Sequence, residues 1–190
     1  MIITFLRRVV LGLVLLGLAT ASAHALTLAG LQRLLKTSTV SDVPFHEVRE
    51  SPWLLVPVES RGTMRSTPEG LEKRIESPRK ETWRLLPDRM EWAGADGVGR
   101  KQILFAQVPA VATLANAIRR IVAGDLLVLQ QDFRLSLSGD EQRWTVQLQP
   151  ADANTARYLD HLEMHGMGER LQTLIVVERQ GERTTTRFRP

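Results

Sequence analysis

The 190-residue chain contains no cysteine. Its fold therefore relies on no disulfide, even in an oxidising compartment, and no thiol follows the N-terminal apolar segment to accept a lipid anchor. An excess of one charge is also missing. The 25 Lys and Arg residues stand against 21 Asp and Glu, and stretches such as "EGLEKRIESPRKE" interleave the signs instead of gathering a basic stripe. That is not the footprint of a nucleic-acid binder, and no nucleic-acid partner is expected. Repeats, low-complexity tracts and linkers are absent as well, so a chain of this length should build one core.

Long apolar runs are reduced to one. "VVLGLVLLGLATA" follows Arg7 and Arg8, falls short of the roughly 20 residues a membrane-spanning helix needs, and ends at "AHA", Ala23 to Ala25, a small-x-small cleavage pattern. Residues 1–25 read as a cleaved signal peptide and 26–190 as a single exported domain beginning at Leu26. Loss of Arg7 and Arg8 lowers the basic count from 25 to 23 against 21 acids, a net charge of +2.

Catalytic signatures are equally scarce. No Gly-x-Ser-x-Gly turn surrounds any serine, and no two carboxylates stand at a usable spacing. "GADGVG", Gly94 to Gly99, lacks the Lys-Ser/Thr of a phosphate loop and reads as a hairpin turn. His161, Glu163 and His165 in "DHLEMHG" share one face of a strand and could offer three ligands to zinc. The helical zinc-protease motif spaces two histidines four apart, with glutamate directly after the first. The simpler reading is a solvated face opposite Leu162 and Met164. Asp125, in "IRRIVAGDLLVLQQDF", has no base or nucleophile beside it and stands where a short polar side chain caps a following helical turn. No catalytic residue, metal or cofactor is expected, and the protein is not read as an enzyme.

What the sequence does hold is alternation. From Pro44 to Phe105 short period-2 segments are punctuated by Pro and Gly: "FHEVRE", "WLLVPVE", "GTMRS", "GLEKRIES", "KETWRLL", "DRMEWAG" and "RKQILFA". Apolar positions fall on one side, with Arg65, Glu72, Arg74, Arg84, Arg89 and Glu91 opposite. Glu47 and Arg49 share a face and could pair with each other or with a lid residue. After Pro109 the period becomes 3.6, placing Val111, Leu114, Ala115, Ile118, Ile121 and Val122 on one stripe. Pro109 suits the first turn of that helix and Gly124 the left-handed residue after its last. Strands resume as "FRLSLSG", "RWTVQLQP", "LDHLEMHG", "RLQTLIVVERQ" and "ERTTTRFRP", and "LAGLQRLLKT" supplies an N-terminal helix.

Two helices are too few to cover such a sheet unless it curls. The expectation is mainly β with α: a strongly curved antiparallel sheet, or incomplete β-barrel, covered by a helical lid. Its cavity would be lined by Met64, Leu71, Ile75, Trp83, Leu85, Met90, Trp92, Ile103 and Phe105, with Phe133, Leu135, Trp144 and Val146 from the later strands. Val111, Leu114, Ile118, Ile121 and Val122 would form the lid, turning at Gly124 and Leu126. The same residues could instead pack one another as ordinary core.

Residues along the mature chain resemble the periplasmic outer-membrane lipoprotein carriers, the LolA-like proteins, and in particular a divergent LolA-related branch. The resemblance begins with "LQRLL" followed by Phe45, Glu47 and Arg49. It continues with Gly62, Met64, Pro68, Leu71, Lys73 and Pro78 in the family's order, and ends with the "AGD" corner, Phe133, and "RWTVQLQP" with Trp144 and Pro150. It implies a periplasmic, monomeric carrier that takes an acylated lipoprotein or lipid from an inner-membrane transporter to an outer-membrane acceptor. A sensor or adaptor using the same fold to bind an acylated or protein signal is the alternative.

Overall fold

The computed structural model describes residues 26–37, 42–95 and 99–189. The signal-peptide reading, residues 1–25, lies outside them, as do three residues of the Gly94–Gly99 turn. Eleven strands form a single antiparallel sheet: β1 (Val43–Glu50), β2 (Val58–Ser66), β3 (Leu71–Ser77), β4 (Glu81–Leu85), β5 (Arg89–Gly94), β6 (Lys101–Leu104), β7 (Phe133–Gly139), β8 (Trp144–Pro150), β9 (Leu159–Met167), β10 (Arg170–Glu178) and β11 (Arg183–Phe188). Their spatial order is β6-β5-β4-β3-β2-β1-β11-β10-β9-β8-β7. Two meanders, β1 to β6 and β7 to β11, thus join where the first strand pairs with the last, Phe45 opposite Phe188 and Glu47 opposite Thr186.

Strands β6 and β7 are the two edges of the sheet, yet they follow one another in sequence. The chain between them has to travel from one edge to the other, and it does so through helix α2 (Pro109–Val122). Ile118 of α2 packs against apolar residues from both halves of the sheet. That contact requires the sheet to curl around the helix, as expected of an open barrel. Helix α1 (Leu28–Thr37) starts where Thr27 Oγ1 accepts the Gly30 amide at 3.0 Å, a side-chain cap for an otherwise orphaned donor. Leu31 and Leu35, four residues apart on one face, are its buried positions.

Register places one continuous face on the inside. Ile103 lies opposite Met90, Trp92 opposite Trp83, Leu85 opposite Leu71, and beyond the first-to-last junction Met164 lies opposite both Leu174 and Val146. On the outer face Arg65, Glu72 and Arg84 are aligned across three strands. Glu72 is only 5% exposed and meets Arg65 at 3.1 Å, Arg74 at 2.7 Å and Arg84 at 2.9 Å. Burial by itself would raise its pKa, but the Arg84 hydrogen bond and the charges of Arg74 and Arg65 hold the carboxyl below its usual range. Curvature of β2 against β3 depends on Gly62. The pairing shifts register at Arg61/Gly62, and a Cβ on Gly62 would stand 1.8 Å from the Arg74 carbonyl oxygen. A bulge of this kind bends a strand, and here only glycine fits the approach.

Two expected strands need correction. "WLLVPVE" is not a strand up to Val58: residues 51–57 form the β1–β2 loop, and Trp53, Leu54, Leu55 and Val56 stand in solvent. Pro52 and Pro57 at the two ends cannot donate to a ladder, and "FHEVRE" pairs directly with "VESRGTMRS" instead. "RKQILFA" ends early as well. β6 stops at Leu104, and Phe105–Gln107 form a 3-10 turn that buries Phe105, whose amide bonds the Asp88 carbonyl oxygen at 2.9 Å.

Candidate functional site

Helix α2 divides the concave face into two unlike halves. On the β7–β10 side Phe133, Trp144, Val146, Leu148, Leu162 and Met164 pack against Leu31 and Leu35 of α1, and against Ala117, Ile121, Leu126 and Leu129. The centre of this half is closely packed: Trp144, Val146, Leu148 and Leu162 retain no exposed surface. The indole of Trp144 donates to the Gly168 carbonyl at 2.9 Å. On the other side Phe45, Met64, Leu71 and Ile75 are buried, with Trp83, Leu85, Ile118 and Val122 packed partly against them. Beyond these the wall is open.

That open wall forms a cavity of about 510 Å³ bounded by Glu81, Trp83, Met90, Trp92, Lys101, Gln102 and Ile103. Trp83 and Trp92 face each other across β4 and β5 with ring centroids 6.4 Å apart, inclined at 59°. A second cavity, about 650 Å³, lies under the first turns of α2 between Pro109, Val111 and Leu114 on one side and Tyr158, Leu159 and Glu178 on the other. Burial, helped by the charge of Glu182, raises the pKa of Glu178. Both volumes fall within the range of ligand cavities.

Two polar devices are set into the inner face. Glu47 turns inward and takes both oxygens to Lys73, at 2.6 and 2.7 Å, while Thr186 Oγ1 donates to it at 2.7 Å. Lys73 Nζ also lies 5.0 Å from the Phe45 ring centroid. An inward carboxylate is costly unless so paired. Arg49 takes a different partner, donating from Nε to Glu182 at 2.7 Å, so Glu47 and Arg49 do not pair with each other. The second device is Glu81, whose oxygens accept the indole N–H of Trp83 at 3.2 Å and of Trp92 at 2.7 Å.

The corner after α2 is a Schellman motif. The Asp125 amide bonds the Arg120 carbonyl at 2.8 Å, the Gly124 amide bonds that of Ile121 at 3.0 Å, and Gly124 has φ of +71°, the left-handed conformation that ends such helices. Asp125 does not cap the next turn as expected; that role falls to Gln32 of α1, whose Oε1 accepts the Leu127 amide at 2.9 Å. The Asp125 carboxylate instead meets Lys36 at 2.6 Å and Arg120 at 3.0 Å. The Lys36 hydrogen bond, with that of Arg120, holds its pKa low. It is a charged tie between α1 and the end of α2.

The family described as "Outer membrane lipoprotein carrier protein LolA-like" matches residues 19–188. The chain belongs to this LolA-like family. Similar solved structures are a LolA superfamily protein of Nitrosomonas europaea (12% identity, 87% of this chain and 93% of that one, TM-score 0.42) and a putative outer membrane lipoprotein-sorting protein domain of Vibrio parahaemolyticus (11%, 87% and 90%, 0.44). A DUF1329 family protein of Desulfovibrio piger is a third (11%, 84% and 88%, 0.42). Comparison with curated proteins returns no match.

Within this LolA-like chain the expected cavity residues separate into three groups. Phe133, Leu135, Trp144 and Val146 belong to the closed half, Leu135 only partly buried. Met64, Leu71, Ile75 and Phe105 lie buried in or beside the second half, with Leu85 partly so. Trp83, Met90, Trp92 and Ile103 line open space. Of the lid residues, Ile121 and Leu126 are buried in the closed half, Leu114 and Ile118 pack on it, Val122 faces the second half and Val111 overhangs the 650 Å³ cavity. His161, Glu163 and His165 lie on the outer face. Glu163 bridges the two imidazoles at 3.0 and 3.2 Å, His161 also meets Asp160, and His165 meets Thr145. Among the described residues no group of three such side chains is arranged to hold a metal. Glu81 and Lys101 escaped the sequence reading, and Lys73 entered it only as a residue in the family's order, although period 2 puts Lys73 and Glu81 in phase with Leu71, Ile75 and Trp83. A charge inside an apolar face is legible from spacing; its partner is not.

Proposed function

We propose that this LolA-like protein is a non-enzymatic periplasmic carrier that holds the acyl chains of a lipoprotein or lipid against the open half of its concave face. Residues 1–25 are then the export signal, and family resemblance supplies an inner-membrane transporter as donor and an outer-membrane protein as acceptor. One observation carries the reading. The apolar wall of Trp83, Met90, Trp92 and Ile103 is left uncovered around about 510 Å³, beside a helix that already spans the barrel on its apolar side.

The energetics fit a carrier. Each methylene removed from water contributes about 0.8 kcal/mol, so one long acyl chain brings on the order of 10 kcal/mol and will not cross an aqueous space unaided. The same magnitude would hold cargo irreversibly unless loading displaces something already packed. Val122 and Ile118 supply that opposing contact, since acyl chains reaching Met64 and Leu71 have to move them. The Lys73–Glu47–Thr186 group provides a satisfied polar floor at the inner end of the same wall. No helix among the described residues is long and apolar enough to cross a membrane.

Lipid mass spectrometry on protein purified from its own envelope, paired with titration of a fluorescent fatty acid, tests the proposal. Bound acyl lipid and saturable probe binding that Trp83→Ala and Met90→Ala weaken are expected. A protein that carries no lipid and takes up neither the probe nor an acylated donor is not a carrier.

A further inference from the structure

The geometry points to a head-group site at the β4–β6 end of the cavity, and we propose that it takes an aminoalkyl phosphate, an ammonium and a phosphate joined by a short chain, borne by the acylated cargo. The inference rests on the carrier reading and names the class of lipid carried.

Glu81 faces inward opposite Gly94, a position with no side chain to shield it. Its carboxylate is held by two indole N–H groups, at 3.2 and 2.7 Å. These donors orient the charge without neutralising it, and among the described residues no cation lies within ion-pair range. An ionised carboxylate has acceptor sites beyond the two filled here. In an apolar, aromatic surrounding a charged donor is the ligand that offsets its lost hydration. The Trp83 and Trp92 rings favour the same kind of ligand, because their faces attract cations. Lys101 shows this within the molecule, its Nζ lying 5.8 Å from the Trp92 ring centroid.

Lys101 supplies the second half of the site. It stands opposite Trp92 on β6, so Trp92 separates it from Glu81, and the two do not pair. Among the described residues no carboxylate reaches its ammonium group. Two strand spacings put the β4 and β6 backbones about 10 Å apart, with a negative and a positive group on opposite sides of one cavity of about 510 Å³. A fatty acid or a phosphatidylglycerol would engage Lys101 and leave Glu81 without a counter-ion. An aminoalkyl phosphate satisfies both, its acyl chains running along Met90 and Trp83 toward the buried part of the wall.

The test uses the mature chain carrying Trp53→Phe, so that fluorescence reports the cavity tryptophans over the buried Trp144. It is titrated with short-chain phosphatidylethanolamine, the same lipid N-acetylated, short-chain phosphatidylglycerol, free phosphoethanolamine and a fluorescent fatty acid. Phosphatidylethanolamine should bind about tenfold tighter than the N-acetylated lipid or phosphatidylglycerol, the size of one charge-assisted hydrogen bond. Glu81→Gln should bring the three lipids within about twofold of one another, and Lys101→Met should weaken all three alike. The N-acetylated lipid asks the same question of the unsubstituted cavity, should Glu81→Gln disturb the fold. Equal affinity for the three lipids, with the fatty acid still bound, overturns the head-group site and leaves the carrier intact. Free phosphoethanolamine binding as tightly as the lipid overturns the lipid source. Failure of every acylated ligand, the fatty acid included, overturns the carrier reading itself.

Discussion

Replacing Gly124 is the sharpest probe of the corner on which α2 turns. Its φ of +71° lies in the left-handed region, where a residue with a Cβ costs roughly 1–2 kcal/mol. A Cβ there would also stand 3.1 Å from Leu35 Cβ in α1, tighter than ordinary contact. Alanine recovers part of the loss, because it restricts the unfolded chain by about 0.4–1 kcal/mol. Gly124→Ala should therefore destabilise by about 1 kcal/mol. Gly124→Val adds branched methyls against Leu35 and should cost about 2–3 kcal/mol. For a chain of this size each kcal/mol lowers Tm by about 2–4 °C, which gives about 2–4 °C for alanine and roughly 5–10 °C for valine. Thermal unfolding followed by far-ultraviolet circular dichroism measures both. Fatty-acid affinity measured well below Tm should fall severalfold in the valine variant only, since it shifts the end of α2 against α1. An alanine variant as stable as the parent would show that the corner carries no left-handed constraint and would refute the reasoning.

Removing Trp144 should unfold what removing Trp83 only empties: Trp144→Ala is expected to cost about 3–5 kcal/mol, whereas Trp83→Ala should cost roughly 1 kcal/mol while weakening probe binding, and chemical denaturation beside the binding titration separates them. Glu47→Ala strands a partly buried Lys73 and should cost about 2–3 kcal/mol, with the double change Glu47→Leu and Lys73→Met returning to within about 1 kcal/mol of the parent; urea midpoints decide. Asp125→Asn loosens a half-exposed tie and should cost about 1 kcal/mol or less, with probe binding retained; loss of function from a folded variant would reopen a chemical role for this residue. For Glu72 the folded pKa lies below the unfolded one, so its contribution to stability is present above the unfolded value and is lost as pH falls through the folded value. Melting temperature should drop on acidification below the ordinary glutamate range, and Glu72→Gln should flatten that part of the profile.

Much of the architecture was legible because local spacing and global fold agree. β7 runs from Phe133 to Gly139 and α1 from Leu28 to Thr37, the bounds their alternation and helical period suggest. The exceptions have local causes. "WLLVPVE" carries the apolar content of a strand, but the flanking prolines and the direct pairing of β1 with β2 leave it as a loop, while Phe105 reaches the core from a turn. Asp125 looked like a cap because composition suggested one; the donor it would have capped is taken by Gln32, 95 positions away.

The sequence by itself determined the strand faces, the crossing helix, its glycine corner and the family. Periodicity and a single left-handed residue are local properties of the backbone, readable without neighbours. Only the tertiary structure decided which apolar positions enclose space. Trp144 and Trp83 sit on the same face with the same alternation, yet α1 and α2 fill the barrel over one and leave the other uncovered. That difference comes from where a helix linking the two edge strands must cross, and so do the Lys73–Glu47 pairing and the placement of Glu81 between two indoles. These contacts join strands distant in sequence, and hydrophobic pattern carries no record of distance.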